Sequence, residues 1–223
     1  MMRIVKISVL FNKPSERFTT DATHKDAEED TEESAHEVVA SLKIKGAKAT
    51  LFPITEHTID SIANIRADLV FNLIEWTGVD TKYAMAAFNV MNANGIRYTG
   101  ATKENYHDTC DKIITKRLCR TYDLPTADWQ EFKTGNETIT ITAYPVIVKV
   151  SNEHSSVGIT KDAIAHDAQE LKAIVKTRIE TFRQPVFAET FLVGREFQVT
   201  VLDQAVLPPA EIVYTRGTDV PLL

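Results

Sequence analysis

PVIVKVSNEHSSVGI, Pro145 to Ile159, is the stretch on which the fold turns. Val146, Ile147, Val148 and Val150 are β-branched residues that favour a pleated strand, and Lys149 stands among them. A strand there would hold the lysine ammonium on a stiff element. Directly after it come small polar residues, Ser155 and Ser156, then Val157 and Gly158. Such a pair suits a polyphosphate: the lysine neutralises phosphate charge, while hydroxyls and closely approaching backbone N–H groups supply hydrogen bonds. The same residues also fit a plain strand with a snorkelling lysine and an ordinary turn.

Upstream, strands alternate with helices. Ile4 to Phe11 is apolar and β-branched, as expected of a buried first strand in a parallel sheet. Asn12 to Asp30 is polar, carries Pro14 and the acidic run DAEED, and reads as a loop. Ala35, Val38, Val39 and Leu42 recur at helical spacing, with Asp30 and Glu33 as an N-terminal cap and Gly46 as the stop. Ala49 to Phe52 reads as a second strand, Thr58 to Ile65 as a short helix and Leu69 to Ile74 as a third strand. Tyr83, Ala84, Ala87, Phe88 and Met91 give an amphipathic helix ending near Gly95, and Ile96 to Thr99 a fourth strand. This alternation predicts a parallel sheet covered on both sides. Ligands of such sheets collect beyond the carboxyl ends of strands, which makes Asn72, Glu75 and the loop Trp76 to Asp80 a candidate substrate edge. A solvated strand end is the plainer reading of Glu75.

Thr102 to Leu124 reads as one helix closed by Pro125, with Ile113, Ile114 and Leu118 on an apolar side and Lys112, Lys116, Arg117 and Arg120 on a wet, basic one. Cys110 and Cys119 lie nine residues apart in it, so at about 100° per residue they point to opposite sides and are not expected to pair. Beyond Pro125 the composition shifts to Thr-rich alternation, ETITITAYPVIVKV, which marks the start of a second, smaller α+β lobe. Leu171, Ile174, Val175, Ile179 and Phe182 predict a helix across that lobe, and Val186 to Phe191 a strand. Glu196 to Leu202 alternates as a strand, Asp203-Gln204 turns it, and Ala205 to Leu207 returns as a hairpin. Pro208 and Pro209 break the ladder before a last strand, Ala210 to Tyr214.

Composition bounds the function. A chain of 223 residues, 43% hydrophobic, is long enough for one large domain or two modest ones. A net charge of -6 with no Lys/Arg cluster above the acidic background excludes an electrostatic nucleic-acid binder. No segment has the apolar length to span a bilayer, and Met1 to Leu10 is too short for a signal peptide, so a cytoplasmic protein is expected. The six histidines lack the spacing of a tetrahedral zinc site.

Six stretches in sequence order, LVFNLIE, GIRYTGAT, CDKIITKRLCRTYDLPT, the opening stretch, FAETFLVGREFQVTVL and LPPAEI, resemble the ATP-grasp ligases, and most of all the D-alanine-D-alanine ligases. The resemblance runs from Leu69 to Ile212. It implies an α/β protein: a Rossmann-like parallel-sheet N-terminal domain for substrate at 1–105, then a small α+β ATP-grasp lobe for nucleotide at 106–223. ATP is the implied cofactor, with Mg2+ in the full-length enzyme, and a small amino acid the implied substrate. Lys112 matches the first lysine of the family's DK…TK helix and Lys149 the strand lysine, both contacting nucleotide phosphate; Ser155 and Ser156 would position phosphate or substrate. Glu189 with Phe191 and Leu192 matches the hinge and wall that receive adenine, and Glu196 the carboxylate on the ribose hydroxyls. Ser15, Glu16 and Arg17 resemble the Ser/Ala-Glu-Arg that holds the first amino acid, but Asn12 and Lys13 stand where two glycines normally precede it. Glu75 is followed by Trp76, whereas relatives carry a His-Gly or Glu-Gly pair.

The family's later portion carries an aspartate and a Glu-x-Asn pair that hold magnesium, and no match to them stands in this sequence, so the ATP-grasp part is expected to be incomplete. Three readings follow: a truncated carboxylate-amine ligase that forms an acyl phosphate and releases ADP; an ATP-binding module or degenerate ligase without turnover; and an α/β domain whose function lies elsewhere. The family resemblance also implies a homodimer.

Overall fold

The computed structural model describes residues 4–13, 22–154 and 157–213. By packing, the chain gathers into two compact units, Met1–Leu118 with Ser151–Val157, and Cys119–Val150 with Gly158–Leu223.

The first unit is built on strands β1 (Lys6–Asn12), β2 (Lys48–Ile54) and β3 (Leu69–Leu73), all parallel in the order β2-β1-β3. The central strand is buried from Ile7 to Asn12 because helices cover both faces. Successive side chains of a strand point to opposite faces, so Val9 and Phe11 pack with Ala35 and Val39 of helix α1 (Ala22–Ile44). Leu10 faces the other way, into Ile62, Val70, Trp76 and residues Ala84, Ala87, Phe88 and Met91 of α2 (Thr81–Ala93).

Three local readings change here. Helix α1 begins at Ala22, inside the stretch read as a loop, because the Ala/Glu/Lys-rich run through Glu33 consists largely of good helix formers. The fourth strand shrinks to a single bridge between Val70 and Tyr98, since the Asn72 N–H donates to Thr99 Oγ1 at 3.1 Å and so turns away from the ladder. The helix read over 102–124 is two, α3 (Lys103–Cys110) and α4 (Lys112–Thr121), separated by Asp111 in extended conformation, φ -94 and ψ 107. Its carboxylate accepts the N–H groups of Ile113 at 2.8 Å and Ile114 at 3.3 Å, and so caps a new helix rather than continuing the old one. Both cysteines are free, as expected, though they sit on different helices. Lys116, read as part of a wet face, is only 7% exposed.

The second unit holds an antiparallel sheet ordered β4-β7-β5-β6, from β4 (Trp129–Phe132), β5 (Val146–Val150), β6 (Ile164–Ala165) and β7 (Val186–Thr190). Helix α5 (Ala168–Phe182) lays Leu171 and Val175 on Val146, Val148, Val150, Val186 and Ala188. The alternating run at 137–142 is not a strand: Thr140 donates its N–H and hydroxyl to Gln130 Oε1 at 2.8 and 2.9 Å, while Gln130 Nε2 donates to Thr138 O. Beyond β7 lie β8 (Glu196–Gln198) paired with β11 (Ala210–Ile212), and β9 (Val201–Leu202) paired with β10 (Ala205–Val206). The strand expected over Glu196–Leu202 is therefore split, because Pro208 and Pro209 on the returning chain offer no N–H to the ladder. No helix among the described residues is long and apolar enough to cross a membrane.

Candidate functional site

In the second unit, antiparallel pairing of β5 with β7 sets Ile147 opposite Glu189 and Lys149 opposite Phe187. Residues two apart share a face, so Lys149 and Glu189 become diagonal neighbours. Their Nζ–Oε1 distance is 2.7 Å, with side chains 28% and 13% exposed. The other face of the same strands, through Val148, Val150 and Ala188, is the lobe's core, which fixes the backbone carrying the ion pair. A lysine ammonium has three donors, and one is engaged by Glu189. Phe191 follows at once, half-buried, its N–H donating to Pro145 O at 3.1 Å. Leu192 is 72% exposed, and Glu196 is exposed at the start of β8, opposite Ile212. Of the residues assigned to nucleotide, the structure thus brings Lys149 and Glu189 together and sets Phe191 beside their sheet.

In the first unit, Lys112 opens α4. Its N–H donates to Ser151 O at 3.0 Å and its Nζ to the Glu153 carbonyl. Asp111 Oδ1 accepts the Ser151 hydroxyl at 2.5 Å, Thr77 Oγ1 donates to Glu153 Oε2 at 3.3 Å, and the Gly78 N–H donates to Asn152 O at 2.8 Å. The segment after β5 is stitched down by these bonds through Glu153, which is buried. The sequence reading placed Lys112 and had Thr77 within its candidate substrate edge, but gave no role to Asp111, Ser151 or Glu153. The available signal was the Asp-Lys pair itself, an acid that can cap a helix directly before a base that can reach past it. Ser155, Ser156 and Glu16 lie outside the described residues.

Beyond the end of β3 lies a cavity of about 420 Å³. Glu75 lines it, its N–H donating at 2.7 Å to Oδ1 of Asn12, the last residue of β1. Tyr106 and Cys110 come from α3, with the Tyr106 hydroxyl donating to Trp76 O at 3.1 Å. Burial pushes the Tyr106 phenol and the Cys110 thiol up, and burial with the Lys112 charge pushes the His154 imidazole down. All three are therefore neutral near pH 7. Other parts of the candidate substrate edge serve the fold: Asn72 accepts the Ile74 N–H at 3.2 Å, and Trp76 is fully buried against Tyr83.

No magnesium ligand set is found among the described residues. Among the described residues no group of three His, Cys, Asp or Glu side chains converges as a metal site would need, so no step below is routed through the ion.

The α/β fold is similar to that of solved D-alanine-D-alanine ligases. The D-alanine-D-alanine ligase of Bacillus anthracis complexed with ATP superposes with a TM-score of 0.72 at 21% identity, over 96% of this chain and 68% of that one. A family model described as D-ala D-ala ligase C-terminus matches residues 118–218. A D-alanine-D-alanine ligase of Actinobacillus pleuropneumoniae is 31% identical over 181 residues, 79% of this chain and 57% of that protein. An uncharacterized protein of Sinorhizobium fredii is 29% identical over 81% of this chain and 52% of its own length. The chain is similar to D-alanine-D-alanine ligases and spans little more than half the length of these curated relatives.

Proposed function

We propose that the chain binds ATP and carries part of the machinery of an ATP-dependent carboxylate-amine ligase, in which a carboxylate is phosphorylated and an amine attacks the acyl phosphate. The observation that carries this reading is the Lys149–Glu189 pair at 2.7 Å on adjoining strands. The carboxylate orients an ammonium that still has donors for phosphate oxygens, and fixed positive charge lowers the cost of moving a phosphoryl group. Phe191 and Leu192 would line the adenine, Glu196 would take the ribose hydroxyls, and Lys112 is assigned to phosphate on its sequence match. Ser155, Ser156 and Glu16 keep their proposed roles toward phosphate and the first amino acid. The functional partition at 105/106, a homodimer and a cytoplasmic setting belong to the same proposal.

Two measurements test it. ATP should raise the melting temperature in proportion to the logarithm of its concentration, as linkage requires. Phosphate release with D-alanine, ATP and Mg2+ then separates a working ligase from an ATP-binding module without turnover. A melting temperature unmoved by millimolar ATP would remove the reading altogether.

A further inference from the structure

Lys112 opens α4, and a cation in the first turn of a helix opposes the macrodipole, so the stability of the helix alone does not call for a lysine there. The contacts around it exceed what a helix start requires. Ser151, fully buried directly after β5, must find partners within the protein for its hydroxyl and carbonyl. The hydroxyl donates to Asp111 Oδ1 at 2.5 Å, and the carbonyl accepts the Lys112 N–H at 3.0 Å. One residue thus grips both Asp111 and Lys112.

Asp111 Oδ1 accepts the Ile113 N–H as well, at 2.8 Å, so the carboxylate cannot swing away from Ser151 without undoing the cap of α4. Further along the same segment, the Glu153 carbonyl accepts Lys112 Nζ. Glu153 is itself fixed: it is buried, its Oε2 accepts Thr77 Oγ1 at 3.3 Å, and next to it Asn152 O accepts the Gly78 N–H at 2.8 Å. Ser151–Val157 packs with the first unit, to which Thr77, Gly78, Asp111 and Lys112 also belong, so the network lies within one compact body. It holds Lys112 by backbone and side chain together.

Such a double hold has a chemical use. A long lysine side chain loses rotamer freedom when a ligand orders it, and a lysine ordered beforehand removes that cost from binding. Fixed donors also stabilise phosphate charge without having to reorganise. We propose that Ser151 and Asp111 are positioning residues for Lys112, setting the direction of its ammonium toward nucleotide phosphate while touching no ligand themselves. The proposal rests on the ligase reading, in which Lys112 contacts phosphate, and names the residues that make that contact effective. A purely structural network would support the fold and leave the action of the lysine unchanged.

Calorimetric titration of ATP and of adenosine into the full chain separates the two, in a double-mutant cycle of Ser151→Ala and Lys112→Met with melting temperatures recorded alongside. Ser151→Ala should weaken ATP on the order of fivefold, the worth of one hydrogen bond, and leave adenosine, which has no phosphate, unchanged. Lys112→Met should weaken ATP further, and adding Ser151→Ala to it should change nothing more. Thr77→Val, which loosens Glu153 and spares the helix cap, should show the same phosphate-dependent loss, and carries the test if Ser151→Ala does not fold. Asp111→Asn, which keeps an acceptor, should bind ATP more tightly than Asp111→Ala. Unchanged ATP affinity in both Ser151→Ala and Thr77→Val, equal losses for ATP and adenosine, or losses that add fully in the double variant would each overturn this inference while ATP binding by the parent stands. Lys112→Met that binds ATP like the parent overturns the inference together with the assignment of Lys112 to phosphate; a parent chain that binds no ATP removes the ligase reading and this inference with it.

Discussion

The Lys149–Glu189 pair shows what a single register does. Either residue alone is an ordinary charged side chain, and their separation of forty positions gives no hint of contact; only the antiparallel setting of Ile147 against Glu189 makes them neighbours. The sequence assigned both to nucleotide by resemblance, yet could not say that they hold each other. Lys149→Met removes the ammonium 2.7 Å from a carboxylate only 13% exposed, which should cost about 1–3 kcal/mol of stability and abolish the ATP-dependent rise in melting temperature. Lys149→Arg should recover much of the stability; an Lys149→Met variant that melts like the parent would refute the coupling. A second residue sets an acid limit. Glu137 is partly desolvated, which would raise its pKa, but the N–H groups of Thr134 and Lys133, with the Thr134 hydroxyl, outweigh this and hold it at about 2. A depressed carboxylate contributes stability that is fully present above its unfolded value of about 4.3 and is lost as pH falls toward the folded one. The gap in melting temperature between parent and Glu137→Gln should therefore be widest near pH 6, narrow below pH 4 and close near pH 2. A gap independent of pH would show that those N–H bonds do not favour the charged form.

Elements were legible wherever a period ran long enough. The βα alternation from β1 to α2, and α5 with its Leu171 and Val175 stripe, follow from apolar spacing because burial on one face demands that spacing. Breaks were not legible. The apolar side of α4 continues in phase with α3, so periodicity alone runs through Asp111, where a local side-chain bond decides the outcome. The cavity was legible only at the edge holding Glu75 and Thr77, for a related reason: Ser34, Cys110 and His154 come from distant segments, and no motif joins them to it. Asp111→Ala tests the cap directly. It removes the bonds to the Ile113 N–H and the Ser151 hydroxyl together, so the first unit should lose about 1–2 kcal/mol, the upper range for an N-cap, as read from a denaturant midpoint shift at constant slope. Asp111→Asn keeps an acceptor and should lose less than half as much. Gly158 is a different case: its φ is +73, and a Cβ there would meet Phe182 Cζ at 2.9 Å. Gly158→Ala should cost at least the roughly 1–2 kcal/mol of a left-handed L-residue. No loss on that substitution would mean that the backbone at 158 relaxes away from positive φ.

At the scale of the molecule, the two units differ in how completely they bury their apolar groups. The first has helices on both faces of its sheet, and its central strand is buried from Ile7 to Asn12. The second has a covered sheet under α5 and then, from residue 192 onward, a ribbon of short strands almost wholly exposed among the described residues. Along it Phe197, Val199 and Val201 are 47%, 54% and 60% exposed, and Val206, directly opposite Val201, is 66% exposed. Directly paired residues share a face, so Val201 and Val206 form an exposed apolar stripe on β9 and β10, while beside β8 Arg195 lies 4.8 Å over the Phe197 ring and bonds Glu211 through two 2.7 Å contacts. The sequence pattern there reads as one alternating strand over Glu196–Leu202, which the structure splits into β8 and β9. Contiguous exposed apolar surface drives association, whereas side chains already in water add little to the stability of the fold that bears them. The double variant Val201→Thr, Val206→Thr keeps β-branching and hence strand preference while adding two hydroxyls. It should shift unfolding by less than about 0.5 kcal/mol, yet raise the concentration at which light scattering first reports self-association. A loss of stability well beyond that bound would mean the stripe is buried in the folded chain in solution, and the exposed ribbon would have to be abandoned as a description of this part of the protein.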